Sequence, residues 1–195
     1  MINRELYMEQ ITPFIDKPFV KVITGIRRCG KSVVLRLIRE ELLRRGVSED
    51  HIIYMNFESF EWMDVKEAKA LYTYIREVTK VSGKYYILLD EIQEVTDWEK
   101  AVNAFLVDLD ADIYVTGSNS RLLSSEFSTY LAGRYVAFHI MTLSFREYLL
   151  FHNVPLAISA SDRKAEFLKY LLMGGVPAIH TANYDYNAIY KIVYD

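Results

Sequence analysis

One eight-residue run constrains this chain more than anything else in it. Gly25-Ile26-Arg27-Arg28-Cys29-Gly30-Lys31-Ser32 meets the pattern G-x-x-x-x-G-K-[ST] at every fixed position. Its flanks are those the pattern requires. Phe19-Val20-Lys21-Val22-Ile23-Thr24 is short, apolar and β-branched, which predicts a buried strand leading into it. Beyond it, Val34, Ile38 and Leu42 recur at i, i+4 and i+8, predicting a helix over residues 31–45 that Gly46 stops. The fixed positions alone coincide by chance in roughly 1% of chains this long. With both flanks right, the run is read as an anion-binding loop.

The residue types explain the chemistry. Glycines let the backbone turn and approach a phosphate closely. Successive amides then form a nest at the positive end of the following helix. Gly25, Arg28, Cys29, Gly30, Lys31, Ser32 and Val33 are expected to line it. Lys31 has the length to reach β- and γ-phosphates, and the Ser32 hydroxyl suits Mg²⁺. The side chains of Arg27 and Arg28 read as a solvated loop edge, and Cys29 as a small residue that fits the loop.

The rest of the chain alternates strand and helix. Strands are predicted at 51–57, 85–89, 113–116 and 135–142, with helices at 65–79 and 98–109. Such alternation implies right-handed crossovers and a mostly parallel α/β sheet. A short helix is expected over residues 3–12, with Asn3 as cap and Leu6 and Ile11 as apolar anchors. From Phe145 onward the pattern turns helical, at 148–151 and 164–173, then Gly174-Gly175-Val176-Pro177. The division expected is therefore a core over 1–144 and a helical extension over 145–195, the start of a lid or further domain. Ile189, Ile192 and Val193 suggest an apolar helix face running to Asp195 with no Gly or Pro stop. That predicts a fragment, or a last helix that docks on a partner.

Three more groups carry chemistry. Leu88-Leu89-Asp90-Glu91 sets two carboxylates at the carboxyl end of a buried strand, the edge that faces ligand in open parallel sheets. There Asp90 would hold Mg²⁺ and Glu91 would polarise an attacking water. Capping of the next helix by the same acids is the plain alternative. Thr116-Gly117-Ser118-Asn119-Ser120 ends the fourth strand, where Ser118 or Asn119 can meet a γ-phosphate or water, although turn chemistry also selects these residues. Gln93 is a further residue that can position water or simply be polar surface. Arg134, just before the fifth strand, is a candidate transition-state arginine for its own site or a neighbour's, against a surface salt bridge.

Bulk properties narrow the partners. With a net charge of -3 there is no basic footprint, so nucleic acid is not supported as a direct partner of this segment. Arg36, Arg39, Arg44 and Arg45 are interrupted by Glu40 and Glu41 and read as a solvated helix face. Tyr184, Tyr186, Tyr190 and Tyr194 read as packing residues rather than base-stacking ones. A single cysteine excludes an internal disulfide and fits a reducing compartment. No apolar window approaches the roughly 18 to 20 residues of a membrane span, so the cytoplasm is the expected location.

In sequence order, Gly25 to Ser32, Tyr54-Met55-Asn56-Phe57-Glu58, Leu88-Leu89-Asp90-Glu91-Ile92-Gln93 and Val115-Thr116-Gly117-Ser118-Asn119-Ser120 are joined by three further motifs. These are Leu131-Ala132-Gly133-Arg134, Leu143-Ser144-Phe145-Arg146-Glu147-Tyr148 and Gly174-Gly175-Val176-Pro177. Together they resemble an AAA-type P-loop ATPase of the bacterial and archaeal ATP-binding protein group. The resemblance implies a three-layer fold with a five-stranded parallel sheet of order 5-1-4-3-2. It implies a catalytic Glu91, a polar sensor at Ser118 or Asn119, a role for Arg134 in turnover or subunit communication, and possible oligomers. It also implies ATP rather than GTP, in keeping with the lack of an N-K-x-D tetrad. The function expected is Mg²⁺-dependent ATP hydrolysis coupled to conformational change in an attached domain or protein partner. The alternative is a nucleotide-binding switch or scaffold with negligible turnover. A small-molecule kinase is disfavoured, because the Asp-Glu pair suits water activation.

Overall fold

In the computed structural model, whose described residues are 4–118 and 131–181, the segment before the loop forms β1 (Val20–Gly25), buried at all six positions. It is joined by β2 (Ile52–Asn56), β3 (Tyr85–Asp90), β4 (Ala111–Gly117) and β5 (Tyr135–Ile140). All four pairings are parallel and the order is β2-β3-β4-β1-β5, which is the expected 5-1-4-3-2 read from the other side. The continuous apolar runs lie at the centre, covered on both faces, while the outer strands β2 and β5 are only partly buried. Because every strand runs the same way, Gly25, Asn56, Asp90, Gly117 and Ile140 all end at one edge.

The helices follow from their apolar spacing. Val34, Ile38 and Leu42 of α2 (Lys31–Arg44) are fully buried along one face, as expected. The helix closes where the amides of Gly46 and Val47 reach back to the carbonyls of Leu43 and Leu42. On its outer side Arg44 and Arg45 both pair with Glu41, and Arg39 with Glu49, which confirms a solvated ionic face. α3 (Ala68–Val78) and α4 (Trp98–Asp108) bury Leu71, Ile75, Trp98, Val102 and Phe105 against Val22, Ile87, Leu89 and Val115. α1 (Glu5–Ile11) corrects one expectation. Tyr7 and Ile11, four residues apart, are its buried pair, whereas Leu6 is 56% exposed. Asn3 lies outside the described residues.

At the amino edge of the sheet a buried ion pair joins Lys21 to Asp112. Lys21 also donates to the Lys17 carbonyl (2.8 Å), and Asp112 accepts from the Asp16 amide (2.9 Å) and the Tyr114 hydroxyl (2.8 Å). Tyr86 and Lys84 extend the network through Asp16. Burial lowers the ammonium pKa of Lys21, and Asp112 opposes that shift.

The chain falls into two compact units. One holds Glu5–Gly25 and Lys31–Ile140, the other Met1–Arg4, Ile26–Gly30 and Met141–Asp195. Within the second, α5 (Phe145–Phe151) starts at a capping box between Ser144 and Glu147. It is followed by α6 (Ala160–Met173) and α7 (Pro177–Thr181). Phe145, Tyr148, Phe167 and Tyr170 pack ring against ring at 5.1 to 6.2 Å, which is where much of the aromatic content of this unit goes. Among the described residues no helix is long and apolar enough to cross a membrane. The residues expected to form an apolar C-terminal helix, Ile189, Ile192 and Val193, and the four terminal tyrosines lie outside the described residues.

The helical unit also carries a pH dependence. His180 Nε2 sits 2.8 Å from the Gly174 carbonyl and must donate to it, which leaves Nδ1 to accept from His152 Nε2 at 3.0 Å. Burial lowers the His180 pKa, and the charge of His152 adds to the effect. The unfolded chain therefore binds a proton that the folded chain resists. This contribution is complete above about pH 6.5 and is lost as the pH falls through the lower folded value. Thermal melts at pH 7.5 and pH 5 should show a larger fall in Tm for the wild type than for His180→Gln. Equal falls would contradict the assignment.

Candidate functional site

The sheet unit gathers its polar residues at the carboxyl edge. Lys31, at the first turn of α2, is 4% exposed, and its ammonium lies 3.2 Å from Glu91 Oε1 and 3.5 Å from the Gly25 carbonyl. Ser32 and Val33 follow it on the same turn, both partly exposed. Asp90 ends β3 with no exposed surface. Its Oδ1 accepts from the Thr116 hydroxyl at 2.5 Å and its Oδ2 from the Tyr54 hydroxyl at 2.9 Å. Register explains the convergence. Asn56 pairs with Asp90 across β2 and β3, and Leu89 with Val115 across β3 and β4, so Tyr54 and Thr116 bracket the carboxylate. Burial, then the charge of Asp90, raises the Tyr54 pKa well above the ordinary phenol value, so the hydroxyl stays protonated and donates.

Glu91 leaves the strand in the left-handed conformation, φ 55° and ψ 47°, which costs a non-glycine residue roughly 1 kcal/mol or more. Its amide donates to the Thr116 hydroxyl oxygen at 3.0 Å. Its carboxylate caps nothing, so the helix-capping alternative is not realised. Instead its second oxygen accepts from Gln93 Nε2 at 2.6 Å. Thr116 therefore ties the two acidic residues together, and Lys31, Asp90, Glu91 and Gln93 stand at one edge.

The loop between β1 and α2 is shaped by its own backbone. Gly30 has φ +105°, and a Cβ there would stand 3.3 Å from Arg4 Nη1. Alanine would be both strained and crowded. Arg28 is also left-handed, at φ 66°, with its side chain exposed as expected. The Cys29 side chain is buried and its amide donates to the Ile26 carbonyl at 3.3 Å. Arg4, itself buried, donates to the Cys29 carbonyl (2.9 Å), the Met141 carbonyl (2.9 Å) and Glu147 Oε1 (2.6 Å). It is a fixed point for this loop that no local motif marks.

Other expected residues are placed differently. Ser118 follows β4 at the carboxyl edge and is partly exposed. Asn119 lies outside the described residues. Arg134 stands at the opposite edge. Its carbonyl accepts from the Val20 amide at the start of β1, and its exposed guanidinium donates to Asn103 at 2.9 Å. Six residues of β5 at about 3.3 Å each put it roughly 20 Å from the carboxyl edge. The structure does not bring Arg134 to Lys31 or Glu91 of its own chain.

The donor set fits a small hard cation. Asp90 is a buried carboxylate whose hydrogen-bond donors, Thr116 and Tyr54, are neutral hydroxyls, and each of its oxygens keeps a further lone pair. The hydroxyl of Ser32 is a second hard oxygen on the neighbouring turn of α2. Among the described residues no group of three or more His, Cys, Asp or Glu could hold a metal by itself.

Residues 17–149 match the family described as AAA domain. The chain is 45% identical over 185 residues to an uncharacterized protein of Haemophilus influenzae and 35% identical over 184 residues to one of Methanocaldococcus jannaschii. These alignments cover 94% and 92% of this chain but only 46% and 39% of those proteins, so it spans less than half their length. Among solved structures it is similar to AMPPCP-bound DnaA from Aquifex aeolicus. The TM-score is 0.57 at 15% identity, over 100% of this chain and 63% of that one. It is also similar to the Aeropyrum pernix ORC1 protein in complex with DNA, with a TM-score of 0.51 at 15% identity over 85% and 50%. At that identity the two structures speak for the fold alone.

Proposed function

The chain belongs to the AAA domain family, and from that premise we propose that it binds ATP with Mg²⁺ and hydrolyses it. The observation that carries this reading is the meeting of Lys31 and Glu91, 3.2 Å apart at the carboxyl edge. It pairs a cation suited to phosphate with a carboxylate suited to a water. The AMPPCP bound to the similarly folded Aquifex aeolicus protein supports a nucleotide as the ligand.

In this reading the amides of the loop, at Gly25, Arg28, Cys29, Gly30, Lys31, Ser32 and Val33, cradle the phosphates. Lys31 exchanges its contact with Glu91 for the β- and γ-phosphates. Ser32 and Asp90 would hold Mg²⁺, which when bound neutralises charge building on the phosphate oxygens. Glu91 Oε1, relieved of Lys31, accepts a proton from water as that water's lone pair attacks the γ-phosphorus. The bond from that phosphorus to the β,γ-bridging oxygen breaks, and its electron pair stays on ADP. The products are ADP and inorganic phosphate, and the proton on Glu91 passes to solvent. Ser118 or Asn119 senses the γ-phosphate. Arg134, at the far edge of its own sheet, is assigned to the site of a neighbouring copy, where its charge steadies the transition state. Hydrolysis is coupled to conformational change in an attached domain or partner, a reading supported by the greater length of the relatives.

Equilibrium binding of ATP in the presence of Mg²⁺ tests the site. The wild type should bind, and Lys31→Ala should weaken binding at least about tenfold, since a charge-assisted contact to phosphate contributes roughly 1.5–3 kcal/mol. Equal binding by the two proteins would detach the loop lysine from the nucleotide.

A further inference from the structure

Both carboxylate oxygens of Glu91 are engaged, but by groups of different kinds. Oε1 faces Lys31, which a nucleotide would draw away, whereas Oε2 accepts from Gln93, which belongs to the same turn and would stay. The left-handed backbone at Glu91 leads directly into a 3-10 turn, Ile92–Glu94, and brings the side chains of residues 91 and 93 within 2.6 Å. The amide orientation follows from this contact. Turned the other way, Gln93 would press its carbonyl oxygen against a carboxylate oxygen. With Nε2 committed to Glu91, Gln93 Oε1 is buried and has no hydrogen-bond partner among the described residues. Native structures rarely leave such an acceptor empty without a reason.

We propose that Gln93 is a positioning residue that presents the attacking water to the γ-phosphate. This rests on the ATPase reading above. Attacking water has two hydrogens and needs two acceptors that leave a lone pair aimed at phosphorus. Glu91 Oε1 takes the hydrogen that departs as the proton. Gln93 Oε1 accepts the other and fixes the direction of the lone pair. At the same time Gln93 Nε2 holds Glu91 Oε2, which keeps the carboxylate from rotating. A single amide thus orients the base and its water together. The same arrangement explains why a strained backbone is retained at Glu91, since an extended residue there would carry the two side chains apart.

The test compares wild type, Gln93→Ala, Gln93→Glu and Glu91→Gln of the 195-residue chain. It measures ATP Kd, KM and kcat for phosphate release, and Tm as a control for folding. Gln93→Ala should lower kcat roughly 10- to 100-fold, the range expected when a reacting group is misplaced. KM and Kd should stay within about twofold of wild type, the KM-against-kcat split of a contact made only in the transition state. Gln93→Glu keeps an acceptor but loses the donor to Oε2 and sets like charge beside Glu91, and should also lower kcat. An unchanged kcat in Gln93→Ala, with an active wild type, overturns the proposal and leaves the ATPase reading standing. So does a loss of kcat matched by equal losses in Kd and Tm. If the wild type itself releases no phosphate, both fall.

Discussion

Replacing Glu91 by Gln is expected to leave ATP bound and to slow its hydrolysis by about 10² to 10⁴-fold, the range for removing a general base. Glutamine matches glutamate in shape but accepts no proton, so the water at the γ-phosphate loses its proton sink and little else. Binding should hold or tighten. In the wild type, Glu91 Oε1 competes with phosphate for Lys31 across 3.2 Å, and the substitution removes that charge. Single-turnover phosphate release read beside equilibrium binding separates the two effects. A Glu91→Gln chain that hydrolyses ATP at the wild-type rate would take the base role away from this residue. One that no longer binds ATP would make Glu91 a structural partner of Lys31.

The largest expected effect on stability lies at the other edge of the sheet. Lys21 and Asp112 are buried to within 2% of full coverage. Asp112→Ala leaves an ammonium in the core, beside the Lys17 carbonyl and the face of Tyr114, without its ion-pair partner. Breaking one side of such a pair typically destabilises by about 3–5 kcal/mol. For a chain of this length that is a fall in Tm on the order of 10 °C. Replacing both partners, Lys21→Met with Asp112→Leu, should recover most of the loss, because the penalty is the stranded charge rather than the missing attraction. Thermal melts of the two single variants and the double variant decide the matter. A double variant as unstable as Asp112→Ala would show that the hydrogen bonds to Asp16 and Tyr114 hold this corner, not the ion pair.

What was legible in the sequence depended on the range of the interactions involved. The spacing of Val34, Ile38 and Leu42 was enough for the buried face of α2, because it is a property of neighbouring residues, whereas the sheet order came only with the family resemblance. Asp90 and Glu91 were readable as a pair, but their partners were not. Thr116 and Tyr54 meet Asp90 only through the register of β4 and β2 on β3, which no local pattern encodes. Arg4 holds the Cys29 carbonyl from 25 positions away, and nothing around it marks it as buried. Leu6 looked like the anchor of α1 on hydrophobicity, and Tyr7 took the place because it lies one turn before Ile11. Arg134 could be singled out as an arginine before a strand. Its position at the amino edge became visible only with the direction of β5 against β1. Gln93 was open to two readings until the left-handed turn at Glu91 set its amide against the carboxylate.

The central claim is tested most directly by Mg²⁺-dependent release of phosphate from ATP, with protein in excess so that a single turnover is seen. The account predicts release by the wild type that stops on chelation of Mg²⁺ and is abolished in Lys31→Ala. ATP that binds to the wild type and is never cleaved would contradict hydrolysis and make the chain a nucleotide-binding switch. ATP that does not bind at all would contradict the account from the loop onward.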